Sequence, residues 1–488
     1  MQKEDFKSSI INATKWSLIT EFLAKLMTPI TNLILARLLA PEAFGVVATI
    51  TMIITFADIF TDAGFQKYLI QYNFKSEEEK TRSITVAFWT NLAISIIIWG
   101  IISIYSSEVA VLVGNPGLGT VLTISCVQLP LTAFSSIQLA IFKRNFDFKT
   151  LFYVRVVTIM IPFFITIPLA FKGFSYWSLI IGTIIGQIVN SVILTWKSEW
   201  KPYFYYDFKV LKEMFSFSIW TLFESISIWA STWIDIFIIG TMLDTYYLGL
   251  YRSALNTVNL IFSLITAAII PILFSSLSRV QFDNAAFKTL FYKYQGLAAY
   301  VILPMGVGIF IFSDVITLIA LGEQWIDAGY IIGIWGLTTS FKIVLSDLNS
   351  ECYRAKGLPK LSLILQVIHI LFLVPTCYFS LKSGFKLLVY SRAIIRFQLV
   401  ITSLFVMQKI MKISIIPMVK QIVKPLFGCL VMGGAAVIFR MYSLNFLWSL
   451  ISILLCILIY IFTIILISKN EFVSYLGMIK KSVITKAK

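Results

Sequence analysis

The chain has 488 residues, of which 58% are hydrophobic and only 13% charged, against about 25% charged in an ordinary soluble domain. With a mean hydropathy of +0.87 it cannot be dispersed in water as a globule, which leaves a polytopic membrane protein. Forty Lys and Arg against 24 Asp and Glu give a net charge of +16; in such a chain the excess is read first as membrane sidedness, and nucleic-acid binding is not expected.

The N-terminal stretch MQKEDFKSSIINATK is polar, and no small-residue cleavage site follows the first apolar run, so no removable leader is expected. From there, apolar runs of about 20 residues, enough to cross about 30 Å of hydrocarbon, recur towards the C-terminus. They predict fourteen spans, at 16–36, 45–65, 84–105, 118–140, 153–171, 175–196, 214–240, 249–274, 294–313, 329–349, 361–380, 387–407, 425–440 and 446–468. The connecting segments 1–15, 66–83, 141–152, 197–213, 275–293, 350–360, 408–424 and 469–488 hold 29 Lys and Arg. The alternate set, 37–44, 106–117, 172–174, 241–248, 314–328, 381–386 and 441–445, holds four. This asymmetry predicts both termini in the cytoplasm and an even number of spans. The tail after 469 reads either as a basic amphipathic helix on the inner leaflet or as a solvated segment. The five cysteines include no C-x-x-C pair, so neither disulfide, metal site nor cofactor is expected.

An internal likeness organises the spans. Residues 16–45, WSLITEFLAKLMTPITNLILARLLAPEAFG, and 220–249, WTLFESISIWASTWIDIFIIGTMLDTYYLG, each open on Trp, carry a Glu a turn later and end in a polar turn before Gly. The offset covers six spans. It predicts an all-α membrane fold of two six-helix lobes in parallel repeat, 1–200 and 201–412, followed by a helix pair and basic tail, 413–488. Parallel repeats suit alternating access, one lobe rocking against the other. ATP hydrolysis is not expected, because GNPGLGT (114–120) lacks the lysine of a phosphate-binding loop.

The stretch ILARLLAPEAFGVVATITMIITFADIFTDAGFQKYLIQ (34–71), with VAFWTNL (86–92), QLAIFKRNFDFKTL (138–151) and LGLYRSALN (248–256), resembles the bacterial polysaccharide exporters. These are the O-antigen and teichuronic-acid type flippases of the multidrug/oligosaccharidyl-lipid/polysaccharide exporter superfamily. The resemblance runs through about the first 280 residues. It implies a two-lobed bundle in the bacterial cytoplasmic (inner) membrane that moves an undecaprenyl-pyrophosphate-linked oligosaccharide, such as an O-antigen or capsule unit, to the outer leaflet. Expected partners are that lipid-linked cargo, membrane lipids, a driving H+ or Na+, and proteins of polysaccharide assembly.

Charges inside the spans single out the candidate residues, because an ionisable group in hydrocarbon is expensive. Arg392 and Arg396 lie four apart, on one face of a helix, and no acidic residue occurs between 352 and 470. With Lys25, Lys342 and Arg252 they are expected to line a cationic cavity for the cargo's pyrophosphate; the alternative is structural pairing of the arginines with Asp235 or Asp347. Glu21, Asp58, Glu224 and Asp235 are candidates for ion coupling, although Glu21 and Lys25 could simply neutralise each other. Trp220, Trp229 and Trp233 are read as sugar-stacking or as packing, and His369 as a packed polar residue or a proton relay. A drug/cation antiporter of the multidrug and toxin extrusion type would need a net acidic cavity. A membrane polymerase or ligase would need a large outer loop, so no enzyme is expected. The loop asymmetry has a direct check: reporter fusions after 75, 205 and 356 should read cytoplasmic and those near 112 and 322 external, and an external signal at 205 would remove the two-lobe reading.

Overall fold

The computed structural model describes the backbone of residues 3–62, 64–358 and 360–487; side chains are described over 15–471, apart from 18, 22, 26, 62, 63, 216–221, 224, 268, 359 and 470. Among these residues there are helices and turns and no strand; a helix satisfies within its own segment the backbone polar groups that hydrocarbon cannot. Thirteen described helices are long and apolar enough to cross a bilayer, or fourteen when one bent pair counts as a span.

In chain order the spans are α1 (Lys15–Leu38), α2 (Pro41–Thr61), α3 (Glu77–Ile104), α4 (Gly119–Arg144), α5 (Phe148–Phe171), α6 (Tyr176–Lys197) and α7 (Ser225–Met242). There follow α8 (Thr245–Ala267 with Ile269–Arg279, bent by 42°), α9 (Asn284–Ile311), α10 (Glu323–Ala355), α11 (Lys360–Lys382), α12 (Phe385–Lys409), α13 (Ile415–Tyr442) and α14 (Phe446–Lys469). Each coincides with an expected span; α13 begins ten residues before the expected 425–440, because Ile415–Lys424 continues the helix despite its lysines. The side chains of the tail after 471, on which the amphipathic reading rests, lie outside the described residues. All five cysteines are free and buried.

Local sequence explains the helix starts. Ser76 accepts from the Glu79 amide (3.1 Å) at the head of α3, above a first turn holding Glu77, Glu78 and Glu79. Asp147 accepts from the Thr150 amide (3.0 Å) before α5, and Asp283 from Ala285 and Ala286 before α9. Side-chain oxygens here satisfy amides that have no helical partner.

By packing, the chain forms two compact units, residues 1–252 and 253–488. In the first, α4 packs on α3 and α6, α5 packs between α1 and α6, and α7 lies against α2. Arg144 closes the short helix Phe65–Gln71: its Nη1 donates to the Leu69 and Tyr72 carbonyls (2.7 and 2.9 Å) while its guanidinium covers Phe74 at 4.7 Å. The division read from the repeat groups residues by likeness and the packing units group them by contact, so the two boundaries answer different questions.

The repeat has a physical counterpart inside the first unit. Pro41 and Gly45 occupy the positions in the first repeat that Thr245 and Gly249 occupy in the second. A methyl group on Gly45 would lie 2.0 Å from the Thr245 carbonyl oxygen, and one on Gly249 would lie 1.8 Å from that of Pro41. The two turns therefore meet backbone to backbone through reciprocal glycines.

In the second unit α10 and α13 pack along α9, and α14 packs on α13. Tyr460 donates to the Tyr300 carbonyl (2.9 Å), Lys424 pairs with Glu471 (2.6 Å), and Arg440 holds Asp314 through two bonds of 2.7 and 2.6 Å. The last helix pair is thus part of this unit's core. Gly45→Ala and Gly249→Ala should each lower stability by about 1–3 kcal/mol through overpacking, and the double variant should cost less than their sum, since both disturb one seam. Gly434→Ala, where an added methyl meets nothing within 4 Å, should be neutral or slightly stabilising in the same thermal melt.

Candidate functional site

The arginine pair lies in the second unit. α12 is built of Phe385–Ile394 and Arg396–Lys409, joined at Ile395. Arg392 closes the first piece, Arg396 opens the second, and both are buried, at 7% and 8% exposure. They converge on the indole of Trp335 in α10, with guanidinium carbons 5.2 and 3.8 Å from the ring centroid. Arg396 Nη1 also donates to Thr339 Oγ1 at 2.6 Å and, more weakly, to Thr338 Oγ1 at 3.4 Å. Trp335, Thr338, Thr339 and Lys342 follow at i, i+3, i+4 and i+7, so one face of α10 presents the whole set. An aromatic face attracts a cation by about 0.5–2 kcal/mol, more as water is removed. One indole thus offsets part of the repulsion between two cations.

Lys342 has a carboxylate partner: its Nζ donates to Asp347 Oδ1 at 2.7 Å. Five residues separate them, a spacing that an α-helix does not bring together. Here α10 passes through a π-helical segment, Ile343–Asp347, whose wider turn puts i and i+5 on one side. Partners from neighbouring positions cover the altered carbonyls. Gln295 of α9 donates to the Val344 oxygen (3.2 Å), and Asn349 donates to that of Leu345 (2.7 Å) and to Ser403 Oγ (2.9 Å). The Arg396–Asp347 pairing considered from sequence is replaced by Lys342–Asp347, and Lys342 enters the cationic set already compensated. His369 is 4% exposed, and its Nδ1 bonds Gln398 Oε1 at 2.9 Å.

The remaining candidates lie in the first unit. A cavity of about 850 Å³ between α1, α4, α5 and α6 is lined by Glu21, Lys143 and Arg155 together with neutral groups such as Asn32, Gln187 and Asn190. Lys25, one turn from Glu21, is half-buried; no ion pair joins the two among the described residues. A second cavity, of about 350 Å³, contains Asp58. Asp235 is 2% exposed and accepts from Tyr251 Oη (2.8 Å) and its neighbour's amide, Ile236 N (2.9 Å). Arg252 lies over Trp233 at 4.2 Å, and Trp229 donates to the Met52 carbonyl and Thr55 Oγ1, both at 3.2 Å. The side chains of Glu224 and Trp220 lie outside the described residues.

Sequence reasoning missed Trp335, Thr338 and Thr339. The one available signal was the polar and aromatic face of WGLTTSFK (335–342), which resembles an ordinary amphipathic turn until α12 is placed against it. The Lys342–Asp347 pair should behave as a couple. Asp347→Asn alone should cost roughly 1–3 kcal/mol, read as a lower melting temperature, because it strands a half-buried ammonium. Adding Lys342→Met should recover most of that loss.

Comparison with known proteins adds to this geometry. The family described as polysaccharide biosynthesis protein matches residues 34–329. An uncharacterized membrane protein in the cps region of Klebsiella pneumoniae is 21% identical, over 77% of this chain and 77% of its own length. The succinoglycan biosynthesis transport protein ExoT of Rhizobium meliloti is 22% identical, over 66% of this chain and 65% of its own. Among solved structures, the lipid II flippase MurJ in its inward closed conformation superposes with a TM-score of 0.75 at 17% identity, covering 94% of this chain and 99% of that one. At that identity the likeness establishes a shared fold.

Proposed function

The chain belongs to the polysaccharide biosynthesis protein family, and we propose that it is a flippase for an undecaprenyl-pyrophosphate-linked oligosaccharide. It takes this cargo from the cytoplasmic to the outer leaflet of a bacterial inner membrane by alternating access. Its working parts are the lobes 1–200 and 201–412 with the helix pair 413–488, both termini are cytoplasmic, and an ion gradient drives the cycle through Glu21, Asp58, Glu224 or Asp235.

One observation carries the reading: two guanidiniums buried within the bundle and held against one indole and a threonine hydroxyl. Such contacts orient a guanidinium's planar donors, which suit the paired oxygens of a phosphate group. The transport protein among the relatives and the flippase fold support transport over an enzymatic role. An antiporter for cationic drugs fits less well, since this face of α10 and α12 is basic.

Arg396→Lys keeps the charge and loses the planar fork, so export should fall partly. Arg396→Gln should nearly abolish it, with lipid-linked repeat units accumulating on the inner leaflet. Full export in Arg396→Gln, or in Arg392→Gln combined with Arg396→Gln, would show that these cations serve the fold alone. Lipid-linked repeat units assayed on each face of inverted vesicles give the readout.

A further inference from the structure

One wall of the first unit carries an apolar groove of about 600 Å³ between α3, α4 and α6, with Leu92, Leu131, Phe134, Ile188 and Val192 on its sides. Ser191 and Thr195 also line it, but the Ser191 hydroxyl donates to the Leu131 carbonyl (2.8 Å) and Thr195 Oγ1 accepts from Gln138 Nε2 (3.2 Å). Along α6 the groove runs from Ile188 to Trp196, about 12 Å at a rise of about 1.5 Å per residue. That is most of the depth of one leaflet, about 15 Å of hydrocarbon.

Its charge lies at one end. Lys201, just past the last turn of α6, lines the groove and donates from Nζ to the Thr195 carbonyl and to that of Trp196 (3.1 Å). Carbonyls at a helix end lack helical partners, so these two hold the ammonium in place, and one of its three N–H donors remains. Lys197 adds a second cation here, over the Trp196 ring at 4.7 Å. Glu199 is exposed, and no ion pair joins it to either lysine among the described residues. Aromatic rings gather at the same end. Trp89, one turn before Leu92 on α3, donates from Nε1 to the Tyr203 carbonyl (2.8 Å) and packs on Phe204, ring centroids 5.3 Å apart. Phe204 is nevertheless 92% exposed and Trp196 74%. Rings held in place yet left so open suit the boundary between hydrocarbon and water.

We propose that this groove binds an anionic phospholipid of the leaflet at this end of α6, one acyl chain lying along Leu131, Ile188 and Val192 and the headgroup phosphate meeting Lys197 and Lys201. On the sidedness proposed above, that leaflet is the cytoplasmic one. Charge complementarity selects the occupant: an apolar chain alone leaves both ammoniums unmatched, and a zwitterionic headgroup brings a cation of its own. The site shares no residue with the cationic set or the coupling candidates, so it stands or falls independently of the cargo reading.

The experiment counts lipids retained by the purified full-length protein in detergent, by native mass spectrometry, during titration with phosphatidylglycerol or with phosphatidylcholine of the same chains. Phosphatidylglycerol should be held about tenfold more tightly, at one saturable site. Lys197→Gln and Lys201→Gln should each weaken it about fivefold, the effect of one basic residue beside an anionic surface, and leave phosphatidylcholine unchanged. Lys201→Arg, which keeps the charge, should retain the preference if the glutamine variant does not fold. Val192→Trp, at an exposed position on the groove wall, should abolish saturable retention by filling it. Lys209→Gln, exposed and outside the groove lining, should change nothing. Equal retention of the two lipids would overturn the site, as would a phosphatidylglycerol preference that survives Val192→Trp or the double variant of Lys197→Gln with Lys201→Gln. Complete displacement of phosphatidylglycerol by equimolar undecaprenyl phosphate would overturn it too, assigning the groove to a polyprenyl chain.

Discussion

Hydrocarbon offers no hydrogen bonds, so each polar group within this bundle must be solvated by protein or by water in a cavity. The solution recurs at every scale. Serine and threonine hydroxyls bond back to carbonyls three or four residues earlier, as Thr49 does to Gly45 and Thr463 to Ile459. Where the helix departs from its regular ladder, at Ile343–Asp347, Gln295 and Asn349 supply the donors. Arg392 and Arg396 meet the same constraint with an indole face, and Arg396 with a hydroxyl as well.

The partners differ in how firmly they hold. An ion pair such as Lys342–Asp347 commits both members, since removing either leaves a charge in a poor solvent. A cation over an aromatic ring is held by about 0.5–2 kcal/mol, less than a charge-assisted bond to phosphate. The indole and hydroxyl contacts position the arginines within the second unit. In the first unit the device is different. Its polar groups border cavities, lined by neutral oxygens together with acids such as Glu21 and Asp58.

Backbone proximity is the other resource. Gly45 and Gly249 let two turns approach to a distance that any side chain would forbid. A methyl group at Gly182 would lie 1.9 Å from Thr166 Oγ1, at the π-helical segment Pro162–Thr166 of α5. Small residues thus sit where a helix is locally deformed or where the two repeat segments meet, and tight packing replaces the hydrophobic effect that lipid cannot supply between helices.

The sequence by itself determined the all-helical class and the number and order of the spans, because crossing a bilayer demands about 20 apolar residues each time and that length is written locally. It also marked the turns at 41–45 and 245–249 as equivalent, and Arg392 and Arg396 as neighbours on one face, since helical periodicity is a short-range property. Only the tertiary structure decided what those side chains meet. Thr339 lies 57 residues from Arg396, and Gln295 lies 49 from the carbonyl it covers. Lys342 finds Asp347 only because α10 leaves α-helical geometry between them. Partners so distant, or so dependent on a local change of pitch, are chosen by how helices pack, and no periodicity along the chain encodes that choice.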